Sequence, residues 1–291
     1  MQDAQAKNLV RIFPSHAGEV PLRELYLSEP FAPPAQRSAS FVYANFITSL
    51  DGRISLPDPR TSKRTVPHAI ANRRDWRLFQ ELATCADALL TSGRHVRSLP
   101  NGISSRSFPV SSEHEYEDLV HWRSALGLPS QPAVVIVTAS VDLPPLNPLV
   151  ESGRSVYVAT GSAADPRKIA AVESQGARVL YAGEGARVEG RRLIEALAQE
   201  ERWNVALIAG GEILNALIVD DVLDRLYLTL ACRMLGGLSF DTLLTGPALE
   251  QAAPFTLTAL HYDAEGAESS DVEQLFAVFD RAAHASMVRI K

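Results

Sequence analysis

Four short stretches of this chain bring together residue types that can do chemistry. Gly210 and Gly211 stand between the apolar run Asn204–Ala209 and the helically spaced Ile213, Leu214, Leu217 and Ile218. A glycine pair there lets a ligand approach the backbone, and the N–H groups and dipole of a helix start favour an anion such as phosphate. The same pair also suits a plain strand-to-helix turn. Asn45, Thr48, Ser49 and Asp51 crowd the end of an alternating run over 40–47. An amide, two hydroxyls and a carboxylate at a strand end can bind the polar groups of a substrate, although Asp51-Gly52 equally reads as a turn. Ser92, Gly93, Arg94 and His95 close the apolar run ADALL, and their backbone N–H groups with Arg94 can hold a phosphate or diphosphate. The fourth stretch is the basic, hydroxyl-rich segment 61–65.

These stretches need elements to position them. Residues 40–47 alternate in the strand period, and 86–90, 133–138, 155–159 and 177–181 are short apolar strands. Helices are expected over 166–174 and 190–200, within 113–126, and from residue 67 or 68 to 84, where Pro67 suits a first turn. In that last helix Arg73, Arg74, Asp75 and Arg77 read as a solvated face. Residues 224–232 alternate again, and 255–262 and 274–280 read as antiparallel strands joined by an acidic loop, with a helix from Val272 as the alternative. The alternation of strands and helices predicts an α/β fold: a mostly parallel sheet flanked by helices, with a C-terminal antiparallel hairpin. Residues 1–37, broken by prolines, are expected to form an arm packed on a single domain spanning 38–291, with a short helix near 22–27.

The composition narrows the partners. With 291 residues, 46% hydrophobic and 21% charged, the chain has ample material for a core. A net charge of -6, with lysines and arginines scattered singly, argues against nucleic acid and for small molecules. Cys85 and Cys232 are the only cysteines and lie far apart, which suggests neither a disulfide framework nor a metal cluster. A soluble, cytoplasmic protein is expected, since the first residues lack the apolar core of a signal peptide and no apolar run reaches membrane-spanning length.

Taken together, SFVYANFITSLDGRIS, ADALLTSGRHV and LIAGGEILNALIVDDVLDRLYLTLACRMLGG resemble, in order and spacing, the reductase domain of riboflavin biosynthesis. The start Leu9-Val10-Arg11-Ile12-Phe13-Pro14 is similar to that of a bacterial pyrimidine-reductase branch, and the likeness runs from about Leu9 to Asp280. The resemblance implies a dihydrofolate-reductase-like fold, NADPH as cofactor, a homodimer, and reduction of a ribosylamino-pyrimidine to its ribitylamino form. It implies that Gly210, Gly211, Glu212, Ile213 and Leu214 cradle the NADPH diphosphate, with Ser92, Gly93, Arg94 and His95 also against the cofactor. Asn45, Thr48 and Ser62 are then substrate contacts, and Asp51 is the expected proton relay. Three departures stand out: Ala209 where the family usually has Glu, Ala83 where an Arg commonly binds substrate phosphate, and Ser92-Gly93-Arg94-His95 in place of Gly-x-Gly-Thr. They imply a divergent reductase with a different substrate or, alternatively, a non-catalytic nucleotide-binding relative. A zinc deaminase of the same pathway needs His-x-Glu and Cys-x-x-Cys, which this chain lacks.

Overall fold

Short apolar runs bounded by glycine, proline or polar residues become strands throughout the computed structural model, which describes residues 8–14, 18–28, 40–99, 102–104, 107–110, 114–201, 203–264 and 272–282. In chain order the strands are β1 (Asn8–Phe13), β2 (Gly18–Pro21), β3 (Phe41–Ser49), β4 (Leu56–Pro57), β5 (Arg64–Thr65), β6 (Ala88–Ser92), β7 (Ala133–Val137), β8 (Val156–Thr160), β9 (Arg178–Tyr181), β10 (Asn204–Ala209), β11 (Arg225–Ala231), β12 (Phe255–Asp263) and β13 (Gln274–Arg281). The helices are α1 (Arg73–Cys85), α2 (Gly93–Ser98), α3 (Glu117–Ala125), α4 (Asn147–Glu151), α5 (Pro166–Glu173), α6 (Gly190–Gln199) and α7 (Gly211–Val219).

Eleven strands form one sheet in the order β2-β1-β12-β13-β11-β3-β10-β6-β7-β8-β9. From β11 to β9 all neighbours are parallel, and β13, β12, β1 and β2 extend the other side antiparallel. Strands buried on both faces must be apolar on both, and β7 (AVVIV) and β10 (NVALIA) meet that condition. One face packs Tyr43, Leu89, Val134, Ile136 and Val158 beneath Leu78 and Leu82 of α1, Val96 of α2 and Ile169 and Val172 of α5. The other packs Val42, Ala44, Leu90, Val135, Val205 and Leu207 beneath Leu193 and Leu197 of α6 and Leu214 and Leu217 of α7.

Several boundaries depart from expectation for identifiable reasons. Helix α1 begins at Arg73 because the Asn72 side chain accepts the N–H groups of Arg74 and Asp75, while Pro67 to Ile70 forms a turn closed by Ile70 N–H to Pro67 O at 3.1 Å. Strand β6 starts two residues late because Ala86 caps α1 and Asp87 accepts the Trp203 and Asn204 N–H groups. Residues 23–28 are turns, not a helix, since the buried Glu81 carboxylate captures the N–H groups of Glu24 and Tyr26. The N-terminal segment also enters the main sheet, β1 pairing with β12 and β2 with β1. Past Val272 the chain is strand β13, which overturns the helical alternative; the expected acidic loop lies partly outside the described residues.

The four charged residues expected to be solvated do not share one environment. Arg74 and Arg77 are buried, with Arg74 Nε 2.6 Å from Asp263 and Arg77 bridging Glu81 at 2.9 Å and Asp118 at 2.6 Å. These pairs tie α1 to β12 and α3. No described helix is long and apolar enough to cross a membrane.

Candidate functional site

The helices that follow β6 and β10 lie on opposite faces of the sheet: α2 packs through Val96 and α7 through Leu214 and Leu217. Neighbouring parallel strands whose connections part in this way leave a crevice at their carboxyl ends, where ligands of open α/β sheets bind. Ser92-Gly93 and Gly210-Gly211 form its two lips. Gly210 has φ +127°, and a Cβ there would lie 3.3 Å from Ser92 Cβ and 2.9 Å from Ile213 Cδ1. Gly93 is equally confined, since its Cβ would sit 2.9 Å from Thr138 Cβ. The segment 211–245 closes back on itself, with Thr245 N–H donating to Gly211 O at 3.2 Å.

The start of α7 has no side-chain cap. Its first internal bond is Leu214 N–H to Gly210 O at 3.0 Å, and the N–H groups of Gly211, Glu212 and Ile213 have no partner among the described residues. Such orphan donors at the positive end of a helix are an anion site built from backbone alone. Side chains contribute little: Ile213 and Leu214 are buried in the core and Glu212 points to solvent. On the opposite lip, residues 93–98 form helix α2, which Ser92 Oγ caps by accepting His95 N–H at 3.1 Å. Burial holds the His95 imidazole below its ordinary pKa, which disfavours its cationic form. Arg94 remains available, 58% exposed and 3.3 Å from Asp241.

Asp51 is engaged on every side. It takes a short hydrogen bond from Ser49 Oγ, accepts Leu235 N–H at 3.2 Å and Gly236 N–H at 2.8 Å, and lies 2.8 Å from Arg53 Nη1. Together, with the Ser49 bond foremost, these hold the carboxyl well below the usual carboxylate range. These contacts favour the ionised form and give Asp51 a structural part as well: it clamps the loop after β3 to residues 235–236. Arg53 completes the clamp by donating to Gly237 O at 3.1 Å and stacking over Phe240 at 4.3 Å. Because its folded pKa is depressed, Asp51 contributes stability that is present above the unfolded value and is lost only as pH falls into the acid range. Asp51→Asn is expected to speed amide exchange at Leu235 and Gly236 roughly tenfold, read by hydrogen–deuterium exchange, while leaving the pH dependence above pH 5 unchanged.

The remaining expected residues separate. Strict alternation along β3 puts Thr48 on the face of Ala44 and Phe46, and Asn45 on the face of Tyr43 and Ile47. Asn45 is half-buried and its amide has no hydrogen bond among the described residues, whereas Thr48 Oγ1 donates to Ser49 O at 3.1 Å. Ser62 is exposed in a turn at φ +55°, held by its own N–H to Asp58 O at 2.8 Å. Ala83 lies at the far end of α1, beside Leu82, whose carbonyl accepts the hydroxyl of Tyr43 near the start of β3. An arginine at 83 would sit at the wrong edge of the sheet to touch this crevice, so Ala83 removes no anchor from it. Ala209, half-buried at the end of β10, does stand at the crevice.

The RibD C-terminal domain profile matches residues 40–268, a span that covers most of the chain and both lips of the crevice. The chain belongs to the RibD C-terminal domain family. Among solved structures it is similar to a pyrimidine reductase-like protein from Corynebacterium diphtheriae, at 15% identity and TM-score 0.68, over 90% of this chain and 98% of that one. It is similar also to RibD of Acinetobacter baumannii (16%, TM-score 0.59, 88% of this chain and 62% of that one). The riboflavin biosynthesis reductase of Saccharomyces cerevisiae is a third such structure (15%, TM-score 0.55, 88% and 98%). At these identities the likeness shows the fold. No curated protein matches the sequence.

One group read from the sequence as part of a solvated face stands elsewhere in this member of the RibD C-terminal domain family. Asp75, in the first turn of α1, is half-buried and bonded to the Thr229 side chain of β11. The one local signal was Asn72 standing three residues ahead of it, a helix-start pattern hidden within a run of arginines.

Proposed function

We propose that this protein is an NADPH-dependent reductase of a pyrimidine- or pterin-like small molecule, with the cofactor's diphosphate at the start of α7. The observation that carries this reading is the set of unpaired N–H groups on Gly211, Glu212 and Ile213, at the switch-point crevice and next to a glycine whose Cβ would crowd the opposite lip. That cradle fits a diphosphate by charge and by closeness of backbone, and the exposed Arg94, paired with Asp241, stands on the opposite lip as a counter-ion. Bound there, a reduced nicotinamide supplies a hydrogen with its electron pair to an unsaturated carbon. The chain's own tasks are then to orient the acceptor over the end of β3, keep water out and manage the proton.

Family membership and fold support the reductase class, and the Ala209 methyl favours a natural substrate other than the riboflavin intermediate. Ala209 is also the observation that favours a non-catalytic nucleotide-binding relative. NADPH oxidation against a panel of pterins, pyrimidinediones and aldehydes separates the two. A titration with NADPH and NADH followed by nicotinamide fluorescence tests the cofactor assignment: binding below 1 mM, tighter for NADPH, is expected, and no binding of either is the contrary result. A homodimer is part of the same reading, supported by Val10 and Ile12 lying 37% and 48% exposed on β1, and is tested by sedimentation.

A further inference from the structure

The antiparallel edge of the sheet carries a groove that the reductase reading leaves unused. Two adjoining hollows of about 210 and 220 Å³ share Arg11, Leu25 and Ser28 in their walls. The first is closed by Phe13, Pro14 and His261, and the second adds Arg23 and Glu24. The groove stands well apart from the crevice, since β12 and β10 are four strand spacings from each other, about 19 Å.

Local strand geometry puts these groups together. Alternation along β12 sets Ala259, His261 and Asp263 on one face, that of α1. Asp263 is taken up by Arg74, 2.6 Å away. His261 is only 5% exposed, and its buried Nδ1 has no hydrogen-bond partner among the described residues. A buried polar nitrogen left unpaired is costly, and a bound group that meets the ring recovers part of that cost. Arg11 of β1 is the direct cross-strand partner of His261, and Phe13 lines the same hollow. Arg11 is exposed and has no ion pair among the described residues.

The charge and shape of the groove narrow its ligand. Burial, with Arg11 adding to it, holds the His261 imidazole down at about 4, which favours the neutral ring near pH 7. Positive charge therefore comes from Arg11 and Arg23, and Glu24 is the one carboxylate among the lining residues described. One net positive charge suits a monoanion better than a phosphate dianion. A guanidinium fork takes a carboxylate through two parallel N–H bonds, and a neutral imidazole can donate a third. Phe13 and Pro14 supply flat apolar surface beside them. Each hollow is smaller than the roughly 300 Å³ at which sites for drug-sized ligands begin, so a single ring is the size that fits.

We propose that this groove binds a single-ring aromatic carboxylate, its carboxylate on Arg11 and His261 and its ring against Phe13 and Pro14. The site is separate from the crevice and independent of the reductase reading.

Titration of the full chain with benzoate, followed by NMR of backbone amides and histidine rings, tests the site. Saturable shifts are expected at the His261 ring and at the Arg11 and Ser28 amides, with a dissociation constant on the order of 1 mM. Arg11→Gln is expected to weaken binding at least tenfold, and Arg11→Lys by less, since lysine keeps the charge and loses the fork. A comparison on the parent chain needs no variant. Acetate, which has the charge without the ring, and inorganic phosphate are each expected to bind at least tenfold more weakly than benzoate. The proposal is overturned by equal binding of acetate or phosphate, or by unchanged affinity in Arg11→Gln. It is overturned equally by shifts confined to the crevice residues 92–94 and 211–213, or by no shift up to about 20 mM benzoate.

Discussion

On the reductase reading the Asp75 carboxyl, raised to about 6 by burial, is a proton source, and Asp75→Asn is expected to lower kcat roughly 100-fold at pH 6 while the dissociation constant for NADPH stays within about twofold of the parent. Asparagine keeps the size and a hydrogen bond to Thr229 but has no proton to give. The parent's kcat is expected to fall as pH rises through the Asp75 midpoint near 6, and the variant's profile to be flat there. Stability moves the opposite way. The folded pKa of Asp75 is raised, so the folded chain binds more protons than the unfolded one between about 4 and 6. Its contribution is fully present below the unfolded pKa and is lost as pH rises through the folded one, up to about 3 kcal/mol above pH 7. Asp75→Asn removes this loss, and thermal melts at pH 7.5 are expected to place it above the parent, with the gap closing by pH 4.5. A variant that is both less stable at pH 7.5 and unchanged in kcat shows Asp75 to be a helix-anchoring group only.

Gly210→Ala is expected to destabilise the fold by about 2 kcal/mol and to weaken NADPH binding at least tenfold. At φ +127° an L side chain is strained whatever the space, and the added methyl meets Ser92 Cβ at 3.3 Å, an atom fixed on the backbone of the opposite lip. The Ile213 end at 2.9 Å can swing away, but Ser92 cannot without opening the crevice. Gly52→Ala is the control. It has φ +79° with nothing within 4 Å, so it is expected to cost about 1 kcal/mol and leave NADPH binding unchanged. Denaturant melts and fluorescence titrations of both variants separate strain from loss of the cradle.

The parallel core was legible in the sequence because each strand carries its own signal: AVVIV and NVALIA are too apolar for anything but strands covered on both faces, and Leu193, Ile194 and Leu197 give α6 one apolar stripe. The glycine pair was legible for the same local reason. What escaped depends on partners remote in the chain. Arg74 and Arg77 read as solvated because Asp263 and Asp118 lie 189 and 41 residues away. The clamp at Asp51 escaped because the N–H groups it accepts belong to Leu235 and Gly236, 184 and 185 residues on. Strands β1 and β2 were hidden by the prolines around them, and only β12, at the other end of the chain, gives β1 a place in the sheet. Asn45 and Thr48 could have been separated by alternation alone, since residues three apart on a strand face opposite ways.

The central claim is that the start of α7 holds an anionic cofactor, and backbone amide NMR during an NADPH titration addresses it residue by residue. The account predicts saturable shifts largest at Gly211, Glu212 and Ile213, accompanied by Ser92 to Arg94 and absent in Gly210→Ala. NADPH that leaves those amides unmoved contradicts it. So does NADPH that shifts instead the residues of the shallow groove of about 210 Å³ between β1, β12 and the turn at Leu25 to Ser28.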